Sequence, residues 1–155
     1  MRAKETKYIR QQLDAKLKKF QPLRDAIPPR KGWIRAIRDA LGMTGEQLAK
    51  RIGVGKQRIA RIEGDEARGN VTMQTMRRVA EALDCVFVYG FIPRTSLEQT
   101  VKDRAKRIAK KRMKRVSQTM KLEQQELDDS GEQTVLGDAT ERLVNTTPRT
   151  LWNDE

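Results

Sequence analysis

Four side chains with the chemistry of base recognition crowd about a turn and a half of this chain: Lys56, Gln57, Arg58 and Arg61. A guanidinium offers two parallel N–H donors that match the O6 and N7 acceptors of guanine, and a carboxamide carries the donor and acceptor that match adenine. Such groups read a duplex only when a helix delivers them to the major groove, so the flanking residues must build that helix and hold it. Thr44 is an N-cap residue type, and Leu48, Ala49 and Ile52 follow at the three- and four-residue spacing of one buried face. Gly53 supplies the positive φ of a C′ position, Val54 is an apolar plug in the turn, and Gly55 stands where the next helix begins. Ile59 and Ile62 then face inward, which leaves the four base-competent residues outward. The stretch TGEQLAKRIGVGKQRIARIE (44–63) therefore reads as a helix-turn-helix. An ordinary solvated helix mixes signs for i,i+4 pairing, whereas the outward positions from Lys50 to Arg61 are almost all basic. Duplex DNA is the expected partner. Gln57 suits adenine, the arginines suit guanine, and Arg58 either reads a base or holds a phosphate. Lys50, Arg51 and Thr44 are candidates for backbone phosphates, as are Arg2, Lys4 and Lys7 in an N-terminal arm.

The charge distribution agrees. The 155 residues sum to +12, with +5 in residues 1–29, +6 in 30–63, zero in 64–95, +8 in 96–122 and −7 in 123–155. Segregated cationic blocks favour a polyanion through phosphate contacts and counterion release. Other chemistry is scarce. The chain has no histidine and one cysteine, Cys85, which rules out an intramolecular disulfide, zinc-finger ligation and Ser-His or Cys-His catalysis. No enzyme activity, metal or cofactor is expected. Cys85, inside an apolar run, is expected to be buried and inert. The longest apolar stretch, Val86 to Ile92, is interrupted by Gly90 and falls far short of the roughly 18 residues of a membrane span. With no signal peptide in view, the cytoplasm is the expected location.

Five segments follow from the pattern along the chain. Residues 1–31 are a basic extension in which Ile9, Leu13, Leu17 and Phe20 form one apolar helical stripe before Pro22, Pro28 and Pro29 interrupt it. Residues 32–84 are the helix-turn-helix domain. Its first helix, Trp33 to Leu41, buries Trp33, Ile34, Ile37 and Leu41 with Arg35 and Arg38 outward. GDEARGN (64–70) is a polar loop, and Thr72 caps a further helix that buries Met73, Met76, Val79, Ala80 and Leu83. Residues 85–93 hold CVFVYGFI, rich in β-branched and aromatic residues, and predict a strand. A lone strand needs a partner, so a two-stranded ribbon between protomers through Val86, Val88 and Phe91 is expected. Residues 94–127 form a long helix capped by Ser96, with Leu97, Val101, Ala105, Ile108, Val116 and Met120 on one side. Its other side, Lys102 to Arg115, holds nine cations and one acid, suited to covering the domain while facing phosphates or an acidic partner. Residues 128–155 are an acidic tail with a short helix from Glu132 to Val144, ending in TPRTLWNDE, where Leu151 and Trp152 are either tucked against the domain or offered to a partner. The fold class is all-α, a four-to-five-helix domain followed by the short strand and flanked by helical extensions.

QLAKRIGV, QRIARIE and the later LDC resemble the Xre/Cro-type helix-turn-helix domain, which implies the lambda-repressor-like fold. Gly55 departs from the Ser or Thr that more often caps the recognition helix in that family, and Gly64 arrives one residue early in the Ile-Glu-X-Gly ending. A wider resemblance covers GWIRAIRDALGM (32–43), TMQTMRRVAEALDCVFVYGFIP (72–93), TMKLEQQ (119–125) and the terminal LW, which are similar to the mobile mystery protein A family. Members of that family are typically encoded beside a Fic-domain protein, mobile mystery protein B. The resemblance implies a toxin–antitoxin-like module in which this chain represses its own operon and restrains its partner. Many Fic inhibitors carry Ser/Thr-x-x-x-Glu followed by Gly or Asn. Thr119 and Glu123 match the first part, while Gln124 departs from the second. Glu123, Leu151 and Trp152 are the candidate contacts to a Fic-type toxin.

The expected function is therefore a sequence-specific, homodimeric transcriptional repressor on the antitoxin side of such a module. The first alternative is an interaction protein that mainly neutralises a Fic-type toxin. The second is a non-specific nucleic-acid or RNA binder, for which the sparse aromatics offer no stacking platform.

Overall fold

The computed structural model describes residues 3–122, 129–146 and 149–153, and every regular element among them is helical. The α-helices are α1 (Ala3–Leu17), α2 (Trp33–Ala40), α3 (Gly45–Ile52), α4 (Lys56–Arg68), α5 (Met73–Ala82), α6 (Leu97–Leu122) and α7 (Asp129–Thr146). Two 3₁₀ segments, Lys18–Asp25 and Thr150–Trp152, complete the set. The chain divides into two units, Pro22–Gly90 and Met1–Gln21 with Phe91–Glu155.

In the unit Pro22–Gly90 the turns form as their residue types dictate. Thr44 and Gln47 build a capping box on α3: Gln47 N–H donates to Thr44 Oγ1 at 3.2 Å, and Thr44 N–H donates to Gln47 Oε1 at 2.8 Å. Gly53 ends the helix at φ 80°, a left-handed conformation that glycine adopts without a Cβ penalty. Thr72 caps α5 by accepting from Thr75 N–H at 3.2 Å. The core gathers Ile34, Leu48, Ala49, Ile59, Ile62, Val79 and Leu83, with Ile37, Met43, Ile52, Val54, Val71, Met76, Ala82 and a half-buried Cys85 packed on it.

Several expectations need correction. Trp33, Leu41 and Met73 lie outside the core at 46, 57 and 47 % exposure, because each sits at or beyond the end of its helix and falls off the buried face. Arg38, expected outward, is turned in. Its guanidinium clasps Glu63 of α4, with Nε donating to Oε1 at 2.6 Å and Nη2 to Oε2 at 3.3 Å, and its Nη1 donates to the Met43 carbonyl at 2.9 Å. Residues 64–68 are not loop: α4 continues through them, with Arg68 pairing to Asp65 at 2.7 Å, and Gly69 closes the helix at φ 77°. Glu66 explains the extension, because its carboxylate accepts from Trp33 N–H at 2.8 Å and from Ile34 N–H at 3.0 Å, serving as the N-cap that α2 lacks from its own sequence. Gly32 is required there. Its φ is 84°, and a Cβ at this position would come within 2.6 Å of Glu66 Oε2.

Residues 85–93 form no strand. Their β propensity cannot satisfy a backbone without a ladder, and no other strand exists among the described residues. Val86, Val88 and Phe91 stand 87, 66 and 85 % exposed, while Phe87 and Tyr89 stack on each other and Arg77 lies 6.0 Å from the Tyr89 ring centroid.

In the other unit, α6 and α7 pack along one another, and Val101, Ala105, Val144 and Leu151 form a small core with Ile108 and Leu143 beside it. Ser96 caps α6 by accepting from Gln99 N–H at 3.0 Å, and two more free N–H groups, of Leu97 and Glu98, donate to Asp14 of α1 at 2.7 and 3.1 Å. Arg10, one turn earlier on α1, pairs with Glu98 at 2.9 Å. α1 is thus docked on α6 by an acid and a base rather than through Ile9 and Leu13, which stay 49 and 43 % exposed. Val116 is likewise exposed at 55 %, and the Met120 side chain lies outside the described residues.

Glu63→Ala should cost about 3 kcal/mol in urea denaturation, because it leaves the largely buried Arg38 guanidinium with only the exposed Asp39 carboxylate and the Met43 carbonyl, each at 2.9 Å. The paired change Arg38→Met with Glu63→Leu should lose far less. Equal losses in the two proteins would mean that packing, and not the ion pair, joins α2 to α4.

A candidate nucleic-acid interface

The sequence Gly53-Val54-Gly55 turns the chain between α3 and α4 without a side chain to cap the second helix: Gly55 sits at φ −75° and ψ 152° and contributes no side-chain hydrogen bond. The first N–H groups of α4 therefore keep their positive end of the helix dipole open to an anion. Lys56, Gln57, Arg58 and Arg61 project from this first turn and the next, and all four are exposed. None of their side chains makes a hydrogen bond or ion pair to another described residue. A helix about 10–12 Å across with its side chains fits a major groove about 12 Å wide. The face is thus cationic, unneutralised and of the right dimension.

The opposite face of α4 is held tightly. Ile59 and Ile62 are 1 and 7 % exposed, and between the apolar contacts Glu63 clasps Arg38 with both carboxylate oxygens. That hydrogen bond raises the Arg38 pKa above its ordinary value against the opposing effect of burial, so the guanidinium stays charged at any pH the fold survives. Charge on α4 is therefore largely sorted by face, with Glu63 and Glu66 turned inward on α2 and Lys56, Arg58 and Arg61 left outward.

The phosphate candidates are placed less uniformly. Lys50 is exposed and pairs loosely with Glu46 at 3.7 Å, an i,i+4 contact of the kind that water and salt weaken readily. Arg51 is exposed and unpaired among the described residues, and the Thr44 hydroxyl is engaged in the α3 cap. Arg78 of α5 reaches the Ile52 carbonyl at 3.3 Å and so fixes the end of α3 next to the turn. Lys4 and Lys7 lie on α1, exposed, and Arg2 lies outside the described residues. Glu123 and Gln124 also lie outside them, so nothing of the Thr119 to Glu123 motif beyond an exposed Thr119 can be located. At the C-terminal end Leu151 is 1 % exposed inside the core, held by Arg104 Nε donating to its carbonyl at 2.6 Å, while Trp152 is 53 % exposed.

Sequence reasoning missed Arg38, Glu63 and Glu66 as the residues that orient the helix. A signal was present in two acids three residues apart on the inward side of a cationic helix, with Gly32 upstream to let one of them approach.

Gly55→Ser should stabilise the domain by a few tenths of a kcal/mol, because the backbone is already extended there, a Cβ meets no atom within 4 Å, and a hydroxyl could cap α4. A small rise in Tm is the expected reading, and a fall would show that the turn needs glycine for another reason.

Among the described residues no group of three His, Cys, Asp or Glu side chains could hold a metal ion, and no helix is long and apolar enough to cross a membrane. Neither the curated proteins nor the solved structures yield a match. Residues 34–87, about a third of the chain, do match the helix-turn-helix family model, a family of DNA-binding regulatory domains and not of enzymes. The match begins in α2 and ends just beyond α5, so it contains the buried residues of the core of the unit Pro22–Gly90 and the exposed face of α4. Residues 34–87 are an Xre/Cro-type helix-turn-helix domain.

Proposed function

We propose that this protein is a sequence-specific transcriptional repressor that reads duplex DNA with Lys56, Gln57, Arg58 and Arg61 and acts as a homodimer on a two-fold site. The observation that carries the reading is the outward face of α4: four base-competent side chains, exposed and without partners among the described residues, on a helix anchored from behind by Arg38 and the core. Lys50 and Arg51 are assigned to the phosphate backbone, where they position the domain without reading sequence.

Gln57→Ala and Arg61→Ala should each weaken binding to the specific site by about 1–3 kcal/mol and leave binding to random duplex nearly unchanged. Lys50→Ala should weaken both alike and reduce the slope of log K against log salt by about one unit. Footprinting on the DNA upstream of the protein's own gene supplies the site for these measurements. A loss that is equal on specific and random DNA for Gln57→Ala and Arg61→Ala would remove α4 as the reading helix.

The homodimer is supported by Val86, Val88 and Phe91, whose exposed apolar side chains gain most from burial against a second copy. Their contact is assigned to side chains, without a backbone ladder. Val86→Lys with Phe91→Lys should shift the mass found by light scattering from dimer toward monomer, and a wild-type protein that is monomeric at micromolar concentration would end the idea.

The second reading makes the chain the antitoxin-side component of an autoregulated toxin–antitoxin-like operon, with a Fic-type toxin as protein partner. It is supported by the resemblance of residues 32–43 and 72–93 to the mobile mystery protein A family. The half-exposed Trp152 beside a buried Leu151 offers an anchor for such a partner.

A further inference from the structure

We propose that the outward face of α6 is a second contact to duplex DNA, one that follows the phosphate backbone and reads no bases. The proposal rests on the reading of the protein as a duplex-DNA binder and adds a surface carried by the other unit of the chain.

α6 spans Leu97–Leu122 and buries Val101, Ala105 and Ala109 at 8, 0 and 1 % exposure. The stretch Lys102 to Arg115 carries nine cations and one acid. Arg104 is committed to the C-terminal segment, donating to the carbonyls of Leu151 and Asn153 at 2.6 and 3.3 Å. Lys102, Lys106, Arg107, Lys110, Arg112, Lys114 and Arg115 are all exposed, and none of their side chains has an ion pair or hydrogen bond among the described residues. The packed neighbour α7 carries Asp129, Glu132, Asp138 and Glu141, and none of these pairs with those cations.

Geometry and density favour a duplex. Lys102, Lys106, Lys110 and Lys114 recur every fourth residue, so they rise in one gently slanting row over about 18 Å of helix. Lys102, Lys106, Arg107, Lys110 and Lys114 share one side, five cations along about 18 Å, close to the one phosphate per ~3.4 Å along a single strand of the duplex. Leu97–Leu122 contains no aromatic residue, so it has no platform for the unstacked bases of single strands. Insertion at an anionic lipid surface needs an exposed apolar face on the same helix, and here Val101, Ala105 and Ala109 are already covered. A polyanion met through charge alone is what remains, and the duplex is the polyanion that the helix-turn-helix domain already engages.

The test compares three full-length proteins: wild type, Lys106→Gln/Lys110→Gln/Lys114→Gln, and Lys16→Gln/Lys18→Gln/Lys19→Gln as a control with equal charge loss elsewhere. Glutamine matches lysine in helix propensity, so circular dichroism should be unchanged in both variants. Each is titrated with salt on a random-sequence duplex and on the footprinted site. The α6 variant should lower the slope of log K against log salt by about 2–3 units on both duplexes, as expected for three lost phosphate contacts, with the protected bases unchanged. The control should change it by less than one. An unchanged slope, or an equal fall in the control, overturns the proposal. So does a loss confined to single-stranded RNA or to phosphatidylserine vesicles. If Gln57→Ala abolishes specificity while the α6 variant keeps its slope, the reading of α4 stands and this one falls. If wild type binds no duplex, both fall.

Discussion

The ion pair between Arg38 and Glu63 is the constraint on which the placing of α4 depends. It joins α2 to the inner face of α4 at a point where both side chains are about nine-tenths buried, and Glu66 one turn later reaches the backbone of α2's first turn. A buried pair adds modest net stability, yet leaving either member alone is costly, so the two helices can meet in one register and few others. The orientation of Lys56, Gln57, Arg58 and Arg61 follows from that register. If α4 reads bases as proposed, the clasp has a functional weight beyond its contribution to stability, because base recognition tolerates little misplacement.

Electrostatic sorting recurs in the second unit. Arg10 and Asp14, one turn apart on α1, meet Glu98 and the open N–H groups of α6, and the helix that might have docked through Ile9 and Leu13 docks through its charges. In both units a carboxylate from one helix caps the start of another. This arrangement consumes acids in the interior of a basic protein. Lys56, Arg58 and Arg61 on α4 and Lys102, Lys106, Lys110 and Lys114 on α6 are left without a partner among the described residues, a surplus of the kind that suits a phosphate backbone.

The family match to residues 34–87 and the geometry of α4 reinforce each other through different residues. The match spans the core, the glycine turn and the helix ends, features that any domain of this fold needs. On the proposed function the specificity of this chain lies instead in the outward side chains, which the fold presents without dictating their identity. The flanking helices lie outside the match and belong to a unit with its own small core around Ala105 and Leu151.

Most of the helix-turn-helix was legible in the sequence because its signals are local. Thr44, Gly53, Thr72 and Ser96 act within one turn of themselves, and the spacing of Leu48, Ala49, Ile59 and Ile62 declares a buried face whatever lies against it. The base-competent quartet was legible for the same reason, since one helical period separates inward from outward. What the sequence could not determine depends on groups far apart along the chain. Arg38 looked outward until Glu63, 25 residues on, gave it a partner. The polar run 64–68 looked like loop until Glu66 found two backbone donors 32 and 33 residues earlier, and the apolar stripe of α1 yielded to Arg10 and Asp14 because their partners lie more than 80 residues away. The segment 85–93 failed in the opposite sense: its composition favoured a strand, but a strand exists only where a second one is there to bond it, and tertiary structure supplied none among the described residues.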